Sequence, residues 1–240
     1  MKAGHVQNED GSNYNLDNNT TKDVEPQKIF TEIDKNLDFL KYKYNALICN
    51  DVIIREFSLL AQNIEYKAFV MYIDGMVDSP VINEFILSPL MMRNRANIFD
   101  DKQKKFVSEK KIDNVTLKNF KKSKEKNLVD FIYNSLIPQN SVDKVTDFSD
   151  VYSAINMGNC MLFVDSLNTA FNLDVKGFKQ RSIDSPSNEV VVRGSQEAFV
   201  ENIRTNTSMI RRLVNNENLV METLTVGQIT KTQVSIGYIK

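Results

Sequence analysis

The chain has 240 residues, 42% apolar and 25% charged, with a formal net charge of -1. That length supports one large domain or two small ones with real cores. The near-zero charge excludes a global field that steers the whole protein to nucleic acid. Trp is absent, and the sole histidine, His5, sits in a polar stretch. Cys49 and Cys160 form no CxxC pair and no metal-ligand spacing, so they read as free, buried thiols of a reducing compartment.

Residues 1–26 are rich in Asn, Asp and Gly, carry no apolar segment of signal-peptide type, and are expected to be disordered. No apolar run approaches the ~20 residues that span a bilayer, so the chain taken alone reads as soluble and cytoplasmic. From Ile29 onward, Ile33, Leu37, Leu40, Tyr44 and Leu47 recur at helical spacing, with Pro26 suited to the first turn. Two strand-like runs follow, Val52–Leu60 and Ala68–Ile73, the second almost continuously apolar, as for a strand covered on both faces. Ser79-Pro80 predicts a helix start, with Ser79 as N-cap, and Val81, Phe85, Ile86 and Leu90 repeat helically.

Ten lysines fall between Lys102 and Lys126. A block of like charge is not core, so this stretch reads as a solvated linker, with contact to an anionic membrane surface as the alternative. A helix is expected over Glu125–Leu136, another over Phe148–Met157, and a hairpin from Cys160–Asp165 and Thr169–Val175. Asp184–Asn188 is turn-rich, Val190–Arg193 a short strand, Gln196–Val214 a long amphipathic helix, and Leu219–Val226 and Thr232–Ile239 two more strands. The fold class is therefore mixed α/β (α+β): two small lobes of helices packed on mixed β-sheets. The expected division is a tail at 1–26, a first αββα lobe at 27–100, a Lys-rich linker at 101–124 and a second α/β lobe at 125–240.

Helix–strand–strand occurs twice, ending first at Asp74 and again at Lys240. Aligning Val52 with Leu219 brings Tyr72 within one residue of Tyr238. In the first instance a helix follows; in the second none does, so the natural protein is expected to continue.

Catalytic chemistry is hard to build here. Ser-His-Asp or Cys-His arrangements need a positioned base, which His5 does not provide. Asp74, Asp78 and Glu84 lie close in sequence, but Asp74-Gly75 and Asp78-Ser79 are ordinary turn and cap chemistry. No phosphate loop, dinucleotide fingerprint or metal cluster is visible, so neither cofactor nor metal is expected.

The most distinctive run is Val191–Asn216. Gly194 turns the chain, Ser195 caps a helix, and that turn is a weak candidate for holding an anion. Phe199, Ile203, Ile210, Leu213 and Val214 form the expected buried stripe. Asn206 falls on it and needs hydrogen-bond partners, read as a satisfied structural amide, with a ligand or neighbouring backbone as the functional alternative. Glu197, Glu201, Arg204, Ser208 and Arg211 lie on another face, read as solvated pairs. Arg211-Arg212 makes a basic helix end able to meet an acidic partner.

Two stretches resemble the GerA family of spore germinant receptor A subunits: Asp51–Leu90 (DVIIREF, AFVMYIDGMVDSPVINEFILSPL) and Val191–Lys240. The second is similar to the family's Arg-Gly-Pro turn, aromatic-bearing helix, Thr-Asn, Arg-rich turns and Leu-x-x-Glu strand. Arg193, Gly194, Phe199, Glu201, Thr205, Asn206, Ile210, Arg211, Leu219 and Glu222 carry it in that order. Ser195 stands where the family has Pro, and Ala198 where it has Gly. The resemblance implies a non-enzymatic N-terminal region that serves receptor assembly and relays a signal to ion release. It implies B and C subunits and other A subunits as partners, and a membrane part beyond Lys240. It places this region on the cytoplasmic face of the spore inner membrane. The alternative is a module that binds a small nutrient between two lobes. Candidate ligand or subunit contacts are Asp74, Arg193, Gly194, Ser195, Glu201, Asn206, Arg211 and Arg212.

Overall fold

The computed structural model describes residues 27–62, 64–91, 128–177 and 198–240. The expected tail at 1–26, the lysine-rich stretch 101–124, the 184–188 turn and the Val190–Arg193 strand lie outside the described residues, and with them Arg193, Gly194 and Ser195.

The first helix, α1, spans Ile33–Lys43 and starts later than the apolar spacing suggests. Residues 28–30 are extended instead: Lys28 bridges Asp147, and the Ile29 N–H donates to the Thr146 carbonyl at 2.9 Å. Asn36 explains the delayed start. Its Oδ1 accepts from the Phe30 N–H at 2.9 Å, and its Nδ2 donates to the Phe30 carbonyl at 2.6 Å. A side chain that satisfies both backbone groups upstream replaces the bonds a longer helix would supply. Asp34 in the first turn and Lys41 and Lys43 in the last complement the helix dipole. Asn45, at φ 48°, then takes the left-handed conformation that ends the helix. Leu47, expected on the buried stripe, lies past that stop and is 95% exposed.

β1 (Val52–Ala61) and β2 (Ile64–Ile73) form an antiparallel hairpin whose register runs from Val52 opposite Ile73 to Ala61 opposite Ile64. Next comes α2, an α-helical turn at Ser79–Val81 that runs on as a π-helix over Ile82–Leu87. Its N-cap is Asp78 rather than the expected Ser79: Asp78 Oδ1 accepts from the Val81 N–H at 3.2 Å. The π-helical segment Ile132–Leu136 is α3, followed by β3 (Val142–Val145), α4 (Phe148–Asn156), β4 (Cys160–Val164) and β5 (Ala170–Leu173). Sequence reading missed β3 because it has only four residues and buries only Val142 and Val145. The chain ends in α5 (Ile203–Val214), β6 (Leu219–Val226) and β7 (Thr232–Ile239), the two strands at their expected bounds.

Five strands make one sheet in the order β1-β2-β4-β5-β3, every neighbouring pair antiparallel, where mixed pairing was expected. Ala68 pairs with Val164 and Met71 with Met161, so this sheet joins strands from both sides of the expected linker at 101–124. The reason is burial. All five β4 residues are buried, and β2 is buried over Ala68–Met71, so each strand needs apolar cover on both faces and a partner at its edge. Helices supply the cover. On one face α1 and α4 bury Phe69, Met71, Met161 and Phe163; on the other α2 and α3 bury Ala68, Val70, Leu162 and Val164. Alternate residues of one strand thus belong to opposite cores.

β6 and β7 form a separate antiparallel pair with Leu219 opposite Ile239. With α5 they rebuild the α1–β1–β2 arrangement in detail. Asn206 holds Val200 as Asn36 holds Phe30: Oδ1 accepts from the Val200 N–H at 2.8 Å and Nδ2 donates to its carbonyl at 2.7 Å. Asn215, at φ 27°, follows α5 as Asn45 follows α1. The Lys240 N–H donates to the Asn218 carbonyl at 3.1 Å, as the Asp74 N–H donates to the Asp51 carbonyl at 2.8 Å. The weak echo in the sequence is therefore a structural repeat with matching caps and a matching hairpin base.

Candidate functional site

The two units meet where β1 begins and where β2 ends. Asp51 immediately precedes β1, and Asp74 and Gly75 immediately follow β2. Against them lies α5, positioned by its Asn202 cap, whose Oδ1 accepts from the Arg204 and Thr205 N–H groups at 2.9 and 3.2 Å. That cap and the Val200–Asn206 bonds start α5 at Ile203, later than the expected Gln196.

Arg211 is the centre of the contact. Its Nε donates to Asp51 Oδ2 at 2.8 Å, its Nη2 to Asp51 Oδ1 at 3.0 Å, and its Nη1 to the Leu219 carbonyl at 2.6 Å. The side chains are 2% and 5% exposed. This forked geometry is what a guanidinium offers a carboxylate. Burial works against the Arg211 charge, but the hydrogen bonds and charge of Asp51 outweigh it and hold its pKa above the usual value. A second, outer pair joins Arg204 to Asp74 at 3.2 Å. Gly75 (φ 85°) makes room for both helix residues: a Cβ there would stand 3.2 Å from the Ser208 Cβ and 3.3 Å from the Arg204 Cγ.

The expected apolar stripe of α5 is not its most buried side: Ile203, Ile210 and Val214 are half-buried. The buried residues are Thr207, Ser208, Met209 and Arg211, whereas Phe199 is 67% and Leu213 71% exposed. Thr207, Ser208 and Arg211 are buried with Met209 because Gly75 leaves space there and Asp51 supplies a counter-charge. Arg211, read as solvated, is internal, and its donors are committed to Asp51 and Leu219. Asn206 is committed to Val200, in agreement with the structural reading of that amide. Asp74 faces Arg204, Glu201 is exposed at the start of α5, and Arg212 is half-buried next to Arg211. Sequence reading missed Asp51, which lies 160 residues from its partner. No local signal connects two such positions.

Two clefts flank Arg204. One, of about 510 Å³, is lined by Asn50, Asp51, Glu201, Thr207, Met221 and Gln233. The other, of about 520 Å³, is lined by Asp74, Asp78, Ser79, Gly177, Thr205 and Ser208. Both bring one guanidinium among carboxylates, amides and hydroxyls, the second with Val77 and Pro80 beside them. That lining sets charge beside hydrogen-bond donors and acceptors. Among the described residues, no group of three or more His, Cys, Asp and Glu is placed to hold a metal ion. Cys49 and Cys160 are both buried and unbridged, and burial raises the Cys160 thiol well above its ordinary pKa. Among the described residues, no helix is long and apolar enough to cross a membrane.

Fold and junction together define a two-unit α/β domain whose buried charges join its own parts. The profile of the Bacillus/Clostridium GerA spore germination protein family matches residues 38–240, and the chain belongs to that family. It is 29% identical over 215 residues to spore germination protein KA of Bacillus subtilis (strain 168), covering 90% of this chain and 34% of that protein. It is 26% identical over 213 residues to stage V sporulation protein AF of the same organism, covering 89% of this chain and 37% of the relative. The chain thus spans little more than a third of these curated relatives. Its fold matches the crystal structure of the N-terminal domain of the A subunit of the Bacillus megaterium spore germinant receptor GerK3. The TM-score is 0.55 at 24% identity, covering 89% of this chain and 67% of that one.

Proposed function

We propose that this chain is the N-terminal domain of a germinant receptor A subunit, and that it assembles the receptor and relays the nutrient signal towards ion release. In this reading it works with B and C subunits and with other A subunits, on the cytoplasmic face of the spore inner membrane. The observation that carries the relay is the junction. A buried, forked ion pair ties α5 and β6 of the second unit to Asp51, the residue just before β1 in the other, so a displacement of either unit is passed on. The outer Arg204–Asp74 pair is half-exposed and adjustable, as a contact that biases two arrangements must be.

Charge reversal at the outer pair tests this. Arg204→Glu is expected to slow or abolish nutrient-triggered germination of spores while leaving the melting temperature of the purified domain nearly unchanged. The combination of Arg204→Glu with Asp74→Arg is expected to restore germination. Full germination with Arg204→Glu alone counts against a relay through this junction.

A second reading is favoured by the clefts beside Arg204: a module that binds a small zwitterionic or polyhydroxylated nutrient between its units. A thermal-shift screen of the purified chain against amino acids, sugars and nucleosides separates the two. Under the relay reading the screen is silent. A ligand at about 100 times its Kd stabilises its target by about 2.7 kcal/mol, so a saturable shift of that order puts nutrient binding first.

A further inference from the structure

The repeat makes the second unit legible by comparison with the first. In the β6–β7 hairpin, Leu219, Met221 and Thr223 share the face turned to α5. The opposite face begins at Val220, buried in the first unit's core, and continues outward through Tyr238, Ile236, Leu224, Val234 and Val226, with Glu222 opposite Ile236 and Thr232 at its outer end. Tyr238, Ile236, Leu224, Val234 and Val226 are 40–55% exposed. Among the described residues, β7 pairs with β6 alone. A mostly apolar face that the described residues leave open, next to a strand edge they leave unpaired, is a surface built to be covered.

In the first unit the equivalent surface is covered. Phe57, Leu59, Ala68, Val70 and Tyr72 occupy the matching positions of β1 and β2, and they pack in the core shared with Ile82 and Ile86 of α2 and Ile132 of α3. The edge of β2 that corresponds to the free edge of β7 pairs with β4, from Ala68 opposite Val164 to Met71 opposite Met161. We infer that the open face and the β7 edge are a docking surface for a strand and an amphipathic helix of the A subunit's own chain, seated as β4 and α2 are seated on β1–β2. The incoming strand runs antiparallel to Val234–Gly237, and the helix lays Ile or Leu side chains, spaced like Ile82 and Ile86, over Leu224 and Ile236. The inference rests on the A-subunit reading. Two further facts support an occupant from the same subunit: the match covers 67% of the solved A-subunit domain and 34% of protein KA, so both contain chain with no counterpart here. The surface also continues from Val220, so its inner end is already an intramolecular interface.

The test uses L224K with I236K, in this chain and in the full-length A subunit, and reads hydrogen exchange, apolar-dye binding and subunit amount. In this chain the double substitution is expected to leave thermal stability unchanged and to reduce dye binding, with the outward amides of β7 exchanging fast. In the full-length subunit those amides are expected to be protected, and the double substitution to lower the amount of subunit several-fold. Fast exchange at β7 in the full-length subunit overturns the inference. So does a concentration-dependent dimer of this chain that the substitutions abolish, which would assign the face to a second copy. Protection of β7 in this chain also overturns it. None of these readouts depends on germination, so failure here is separate from failure of the relay.

Discussion

Arg211→Ala is expected to destabilise the domain by about 3–5 kcal/mol, because it leaves the Asp51 carboxylate buried without its counter-charge. Three hydrogen bonds converge on this guanidinium from two chain segments, and both side chains are almost fully removed from water. The orphaned Asp51 must stay charged in a buried site, take up a proton, or pull the junction open to reach water. Any of these costs a large share of a domain's net stability. Arg211→Lys is expected to recover only part of the loss, since an ammonium cannot reproduce the fork to both Asp51 oxygens and the Leu219 carbonyl. Urea denaturation followed by circular dichroism checks the size of the effect, and hydrogen exchange checks where it acts. Protection should be lost first across α5, β6 and β7. A loss under about 1 kcal/mol would show that the pair contributes no more than an exposed salt bridge. The same burial makes Arg211 a poor probe of subunit contact, since its loss disturbs folding first.

Phe163→Ala is expected to cost a further, independent 3–5 kcal/mol or so. Phe163 is 1% exposed at the centre of β4 and directly opposite Phe69 of β2, with the two rings stacked at 4.7 Å and 11°. Removing the ring opens a cavity in the core under α1 and α4 and breaks an aromatic cross-strand pair. Phe199→Ala is the control. That ring is 67% exposed, and its removal should change stability by no more than about 0.5 kcal/mol. Chemical denaturation of both variants reads the contrast. Equal losses would mean that Phe199 is covered after all.

Much of the architecture was legible in residue order, because local physics decides it. β-branched runs bounded by turn residues located β1, β2, β6 and β7, and the alternation of their side chains already specified two-faced strands. The Cys160–Asp165 run reads as one arm of a hairpin, and Cys160–Val164 is a strand buried at every residue. The family motif was equally local: from Thr205 to Glu222 it lies on α5 and β6, where a helix and a strand were expected, whereas Phe199 and Glu201 precede the helix. Asn206 was recognised as an amide needing partners, since a polar group on an expected buried stripe poses that question by itself.

What the order of residues left undetermined depended on distance and on space. Nothing near β2 states that its partner edge is β4, nearly a hundred residues on; the pairing exists because both strands bury both faces and each satisfies the other's backbone. Helix starts were misplaced where a side chain reached back to the backbone, as Asn36 does to Phe30 and Asn206 to Val200, because such bonds compete with helix formation. The orientation of α5 was read from hydrophobicity, which favours burying Phe199 and Leu213. Tertiary structure instead buried Thr207, Ser208 and Arg211 most deeply beside Met209, because a glycine without a side chain and a carboxylate 160 residues away made room for them. The sequence by itself therefore determined most of the helices and strands, their two-faced character and the family resemblance. Only the folded chain decided which strand edges meet, which face of α5 is buried and that Asp51 binds Arg211, since those depend on groups brought together from opposite ends of the chain.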